Sequence, residues 1–322
     1  MPGESPMSPV RIPVGGGSPE GENSAYLLPE RGLLVDPGPP GEDAWAALRD
    51  GIAEAGCDLE TVDDVFLTHW HADHVGLAVR LAEAAGATLS MHADDAPLVG
   101  NYAAERRRRL ERDARRLRDW GVPDDLVESL RSADAPSPLP EEYPVDAVSA
   151  GAAVAGLDVV HLPGHTLGHA GLADEARGDL FVGDAVLPTY TPNVGGGDTR
   201  MADPLSSYLD ALDRIASLGW TGVEAGDVRL YPGHGTTVAF PDRIEAIRDH
   251  HGERTERVLG LLDAGGPATP WAVATELFGE MRGYHAKMGA GEAAAHLVRL
   301  RREGRVALVG QAPERYAPAD DR

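Results

Sequence analysis

Four side chains able to bind a metal ion fall within six residues of this chain: His69, His71, Asp73 and His74, in the string Thr68-His69-Trp70-His71-Ala72-Asp73-His74. The apolar segment ahead of them, Asp64 to Thr68, has the pattern of a short buried strand, on which alternate side chains point the same way. His69 and His71 therefore suit one ion. Asp73 and His74 arrive after the chain has turned, ahead of a helix expected from Val75 onward, and point elsewhere, toward a second ion. Imidazole and carboxylate donors without a thiolate favour zinc, and they also accept iron or manganese.

Three later segments carry the same kind of residue just after an apolar run. They are Pro163-Gly164-His165-Thr166, Leu180-Phe181-Val182-Gly183-Asp184 and Leu230-Tyr231-Pro232-Gly233-His234-Gly235. Together with the opening H-x-H-x-D-H string, these four motifs in this order resemble the metallo-β-lactamase superfamily. The resemblance implies a four-layer αββα sandwich with two divalent ions at the edge of its sheets. It assigns His69, His71, His165 and Asp184 to the first ion and Asp73, His74, His234 and the shared Asp184 to the second. It also implies hydrolysis: a water shared by two cations loses its proton near neutral pH, and Asp73 and Asp184 then serve catalysis as well as binding. His169, in Gly168-His169-Ala170, belongs to the second motif as a support for ligands rather than a ligand.

Substrate identity depends on loops, which one fold varies freely. Glyoxalase II-like hydrolysis of a small thioester or related acyl substrate leads. Single-stranded RNA cleavage, as in the branch of β-lactamase-like protein 2, comes second. A lactonase, a β-lactamase and a regulator that only senses metal follow. Tyr190, Thr191 and Asn193 lie in the Gly/Pro-rich loop directly after Asp184, where pocket residues often sit.

The elements that must hold these ligands alternate as in an α/β protein. Strands are expected at Val10 to Val14, Ser24 to Leu28, Gly32 to Asp36 and Ala87 to Met91, with an amphipathic helix from Asp43 to Ala55. A catalytic domain over residues 1–240 is interrupted at about 95–138 by a charged helical insertion containing Arg106 to Arg109 and Arg115 to Arg118. Those arginines either pair with local acids at helical spacing or face an anionic substrate from a lid. Exposed apolar positions on the insertion, such as Leu110, Leu117 and Trp120, would suit a homodimer contact.

Residues 241–322 read as three helices, the third from Gly291 to Glu303, and a wing at Gly304 to Val309, similar to the winged-helix module of the β-lactamase-like protein 2 branch. In that branch the module packs beside the active site, which would let His285 reach the cleft. His92, His161, His250 and His251 read as strand-end or exposed residues, and His296 as a packing residue.

Acids outnumber bases by 52 to 29, for a net charge of -23. Such a surface repels nucleic acid, so sequence-specific DNA binding is not expected. The acid excess points to a salt-adapted protein of the halophile kind. The one cysteine, Cys57, cannot form an internal disulfide. No apolar run approaches the ~18 residues of a membrane span, and residues 2 to 6 lack the pattern of a secretory signal. A cytoplasmic location and a small-molecule substrate are the expectations.

Overall fold

Short runs of Val, Leu, Ile and Phe build two sheets in the computed structural model, which describes residues 8–18, 20–218 and 227–319. The stretch read for a signal lies outside the described residues. One sheet takes β1 (Val10–Ser18), β2 (Gly21–Leu28), β3 (Leu33–Val35), β4 (Asp64–Leu67), β5 (Thr88–His92) and β6 (Asp146–Val148) in chain order. The other takes β7 (Ala153–Val154), β8 (Leu157–His161), β9 (Ala170–Asp174), β10 (Asp179–Gly183), β11 (Arg229–Pro232) and β12 (Val238–Ala239), also in order.

Between the sheets, Tyr26, Leu33 and Phe66 meet Leu172, Phe181 and Tyr231 in one buried cluster. Tyr26 packs edge-on against both Phe181 and Tyr231, at ring-centroid distances of 5.5 and 5.3 Å. Its hydroxyl donates across the sheets to the carbonyl of Pro232 at 2.7 Å. That bond satisfies a buried polar group and ties the two sheets together two residues before His234.

The helices expected from apolar periodicity cover the outer faces. α1 (Glu42–Glu54) buries Trp45, Leu48 and Ile52 on the first sheet. After β4 come the short α2 (Ala72–Val75) and then α3 (Ala78–Ala85), which covers the same face. Asp73 and His74 thus belong to a helical turn of their own, where the sequence suggested a bare turn before one longer helix.

The insertion folds as α4 (Ala96–Gly100), α5 (Tyr102–Asp119) and α6 (Asp124–Ala133). The second sheet is covered by α7 (Pro204–Ala216), whose Asp203 accepts from the Ser206 backbone N–H at 3.2 Å as an N-cap. α8 (Asp242–Gly265) covers it too, through Ile244 and Ile247. With helices outside and sheets inside, the expected four-layer sandwich is what forms.

The far half of α8 leaves that sheet. Val258 and Leu262 pack with α9 (Pro270–Phe278), α10 (Tyr284–Arg302) and the hairpin of β13 (Val306–Gln311) and β14 (Glu314–Pro318). α10 begins seven residues before Gly291, the expected start, and carries Gly289 and Gly291 inside it. A Cβ on Gly291 would lie 2.4 Å from the Gly196 Cα, so glycine lets the helix backbone press directly on the loop after Asp184.

α10 also covers the insertion: Leu117, Trp120, Val122 and Val127 are buried against Ala290 and Ala294. The apolar positions that suggested a dimer contact are thus largely covered within the chain, Leu117 and Trp120 fully and Leu110 in part. His251 is likewise buried at 1% exposure rather than on an open helix face, packed edge-on against the ring of Tyr208. No helix among the described residues is long and apolar enough to cross a membrane.

Candidate metal centre

β4, β8, β10 and β11 all end at the same edge of the sandwich, and each runs directly into one of the four motifs. The strand ends bring three imidazole nitrogens together. His71 Nδ1 lies 3.1 Å from His69 Nε2 and 2.9 Å from His165 Nε2. These spacings approach the ~3.3 Å edge of a tetrahedron with ~2.05 Å metal–nitrogen bonds. Beside them a second group forms: Asp73 Oδ2 is 3.3 Å from His234 Nε2 and 3.5 Å from His74 Nε2.

Asp184 joins the two groups. Its Oδ2 is 3.5 Å from both His74 Nε2 and His234 Nε2, and 3.9 and 3.7 Å from His69 Nε2 and His165 Nε2. All seven residues read from the sequence as ligands therefore converge, in two sets that share one carboxylate. The residues fit the ions they were read to hold. Buried His74 Nε2 and Asp184 Oδ1 have no hydrogen-bond partner among the described residues. His69, His71 and His165 form one potential ion-holding group, and Asp73, His74 and His234 another.

Surrounding groups fix which nitrogen of three of the rings faces inward. Thr68 donates to Asp36 Oδ2 at 2.7 Å, so its hydroxyl oxygen is left to accept from His69 Nδ1 at 3.0 Å. Asp36 Oδ2 also accepts from His74 Nδ1 at 3.0 Å. His165 Nδ1 donates to the Asn193 carbonyl at 3.0 Å. Each bond holds a proton on Nδ1 and leaves Nε2 free for an ion. His169 acts as a support: its Nε2 accepts from the Asp184 backbone N–H at 3.1 Å, and its ring stacks on His69. The loop carrying His165 is pinned by Asp95, which accepts from the Thr166 hydroxyl at 2.7 Å and the Gly168 N–H at 2.9 Å.

The electrostatics differ between the two groups. Burial, reinforced by the facing His165, pushes His71 down to about 3, and burial with neighbouring His74 pushes His69 well down. At His234 burial acts the same way, but the carboxylates of Asp184 and Asp73 outweigh it and raise the ring to about 10. His74 is raised for the same reason.

A cavity of about 420 Å³ opens onto both groups, of a size that suits a small organic ligand. Trp70, Leu98, Tyr102, Leu139, Tyr284 and Met288 give it an apolar lining, and Arg106, Arg109 and Lys287 a cationic one. The four pocket candidates are placed differently from expectation. His285 is exposed, and α10 presents Tyr284, Lys287 and Met288 to the cavity instead. Tyr190, 51% exposed, and Thr191 are not in the lining. Asn193 clips its loop to α10 through Glu292 at 3.1 Å while its carbonyl orients His165. Gly183 and Gly233 let motif loops close on one another, and Gly164 lets the second motif close on Tyr208 of α7. A Cβ on Gly233 would stand 2.3 Å from Asp184 Oδ1 and 2.6 Å from His74 Cε1.

Residues 18–219 match the model of the metallo-beta-lactamase superfamily. The chain belongs to that superfamily. A metallo-beta-lactamase family protein from Thermus thermophilus superposes with a TM-score of 0.76 at 32% identity, covering 96% of this chain and 97% of that one. A probable metallo-hydrolase of Bacillus subtilis is 29% identical over 299 residues, 86% of this chain and 87% of its own length. An atrochrysone carboxyl ACP thioesterase of Aspergillus fumigatus is 26% identical over 303 residues, 85% of this chain and 75% of its own. This member of the superfamily is a metallo-hydrolase with His/Asp groups able to hold metal ions.

Asp36, Tyr284 and Lys287 were missed by sequence reasoning. Asp36 precedes Pro37-Gly38 and looked like a strand end entering a turn. Its only local signal is an acid closing an apolar strand, a sign that its carboxylate is used inside.

Proposed function

We propose that this metallo-hydrolase cleaves small acyl thioesters at a two-ion centre, in the manner of glyoxalase II. The observation that carries the reading is the position of Asp184 Oδ2 between two ligand groups, at the floor of a partly apolar cavity. The Aspergillus relative, a thioesterase by name, supports the choice of thioester over lactam. His69, His71, His165 and Asp184 would hold one ion, and Asp73, His74, His234 and Asp184 the other. The donor set suits zinc and also accepts iron or manganese. Bound there, two divalent cations would acidify water and polarise the scissile carbonyl.

The chain's own groups then orient the reaction. The Asp73 side chain is 42% exposed and that of Asp184 8%, so Asp73 is the acid that meets water entering from the cavity. It aligns that water for attack. Asn23, which donates from Nδ2 to Asp73 Oδ2 at 3.1 Å, keeps the carboxylate turned toward the site. Trp70, Leu98 and Leu139 shelter the acyl chain. Residues 241–322 act as a winged-helix-like module that walls the cavity with α10, in keeping with the β-lactamase-like protein 2 branch and without DNA binding.

Hydrolysis of a small acyl thioester by zinc-loaded protein, beside Asp184→Ala, tests this. Metal-dependent release of thiol that disappears in the variant is the expected result. A metal-loaded protein that leaves thioesters intact and cuts single-stranded RNA would replace the reading with its runner-up.

A further inference from the structure

The arginine run of α5 is split between two faces. Arg107, Arg108, Arg115 and Arg118 are exposed, and Arg108 and Arg118 pair with surface acids, Glu105 for the first and Asp124 and Glu128 for the second. Tyr102, Arg106, Arg109 and Asp113, spaced four, three and four apart, form the inner stripe. Tyr102, Arg106 and Arg109 of that stripe line the cavity. Lys287, the chain's single lysine, reaches the same wall from α10.

This wall holds more positive charge than its own acids neutralise. Asp134 Oδ1 and Oδ2 take Arg106 at 2.7 Å and Arg109 at 2.8 Å. Asp113 takes Lys287 at 2.7 Å and also accepts from the Thr199 hydroxyl at 2.6 Å. Three cations thus face two carboxylates, on a chain whose net charge is -23. Arg106 Nε is buried without a hydrogen-bond partner among the described residues. Arg109 lies with its guanidinium 5.3 Å from the centre of the Trp70 ring, inside the first metal motif, which fixes the cation beside the metal groups. The other cavity acid outside the ligand set, Glu20, comes from the β1–β2 turn rather than from this wall.

We infer that Arg106, Arg109 and Lys287 form a subsite for an anionic group, a carboxylate or phosphate, carried by the substrate at a distance from its scissile bond. The inference rests on the thioester reading and deepens it: the substrate is an acyl compound with a fixed negative charge, its apolar portion against Trp70, Leu98 and Leu139. Arg106 is held by Asp134 at Nη2 alone, which leaves its Nε donor unused, and charge-assisted hydrogen bonds to such an anion are strong. Placing it where the half-buried cations are already held by Asp113 and Asp134 spares the ordering cost that a flexible surface arginine would pay.

Binding of inert thioethers separates this inference from turnover. Zinc-loaded protein is titrated calorimetrically with N-acetylcysteamine thioethers of equal length ending in a carboxylate, a phosphate or a primary amide. The better anion should bind at least about tenfold tighter than the amide, and which anion wins identifies the group. That advantage should shrink in Arg106→Gln and Arg109→Gln. It should grow in Asp134→Asn, which removes the competing carboxylate and serves if the arginine variants fail to fold. Equal affinities in the wild type would overturn the subsite. So would an anion advantage that ignores all three substitutions, because the metal ions would then be holding the anion. Failure of thioester turnover alone would strike the proposed reaction and leave this measurement standing.

Discussion

Asp36 Oδ2 accepts a hydrogen bond from His74 Nδ1 at 3.0 Å, and the same oxygen receives the Thr68 hydroxyl that orients His69. One buried carboxylate therefore sets the ring orientation of one ligand in each metal group. It is held in turn by the Thr68 backbone N–H at 2.8 Å.

Asp36→Ala should leave the inward nitrogens of both rings unfixed. Loss of such a supporting carboxylate weakens metal affinity by roughly 10–100-fold. Competition with a chromogenic chelator reads this directly, with circular dichroism to show a folded chain. Affinity within twofold of wild type would remove Asp36 from the site.

Much of the centre was legible because a strand end followed by His or Asp is a local pattern, repeated here four times. The ligands converge as the motif order implied, and the sandwich follows from runs such as Val65 to Leu67 and Leu180 to Val182. Asp36 was not legible because its role depends on the parallel pairing of β3 with β4, which sets Val35 beside Phe66 across 31 positions of sequence. Tyr284 and Lys287 were missed for a similar reason. Their helix begins before Gly291, and Gly291, inside it, is used for close approach to the loop at Gly195 and Gly196, a tertiary contact the local pattern does not show. His251 looked exposed because α8 has polar residues on most sides, and only the arrival of α7 and α10 buries it.

Gly233→Ala tests how tightly the loops close on the centre. The added methyl would overlap Asp184 Oδ1 and His74 Cε1, and both must move for it to fit. Positions that hold reacting groups tolerate about 1 Å of error before rates fall about 100-fold. A loss of that order in turnover, with a melting temperature within a few degrees of wild type, is expected. Wild-type turnover would show that the loop gives way without disturbing Asp184.

Buried His251 and His296 predict acid sensitivity away from the metals. Burial, followed by neighbouring charges, pushes their pKa values down to about 3 and about 2. Both are depressed below the ordinary value near 6.5, so the unfolded chain takes up protons that the folded chain refuses. The stability they contribute is complete above about pH 6.5 and is lost progressively as pH falls toward 3. In metal-free protein, melting temperature should fall over that window, and the slope should be shallower in His251→Gln. An unchanged slope would assign the acid loss to other groups.

The net charge of -23 predicts a response to salt. Screening shortens the reach of like-charge repulsion from about 10 Å at 0.1 M to about 3 Å at 1 M. Thermal stability should therefore rise between 0.1 and 2 M KCl. Greatest stability in dilute buffer would contradict salt adaptation.

The two-ion centre itself is tested most directly by counting metal. Zinc-loaded protein, freed of excess metal and measured by atomic absorption, should hold two ions per chain. Asp184→Ala should hold one or fewer and lose thioester turnover, because the oxygen shared by both groups is gone. Two tightly held ions in Asp184→Ala, with turnover intact, would contradict the account.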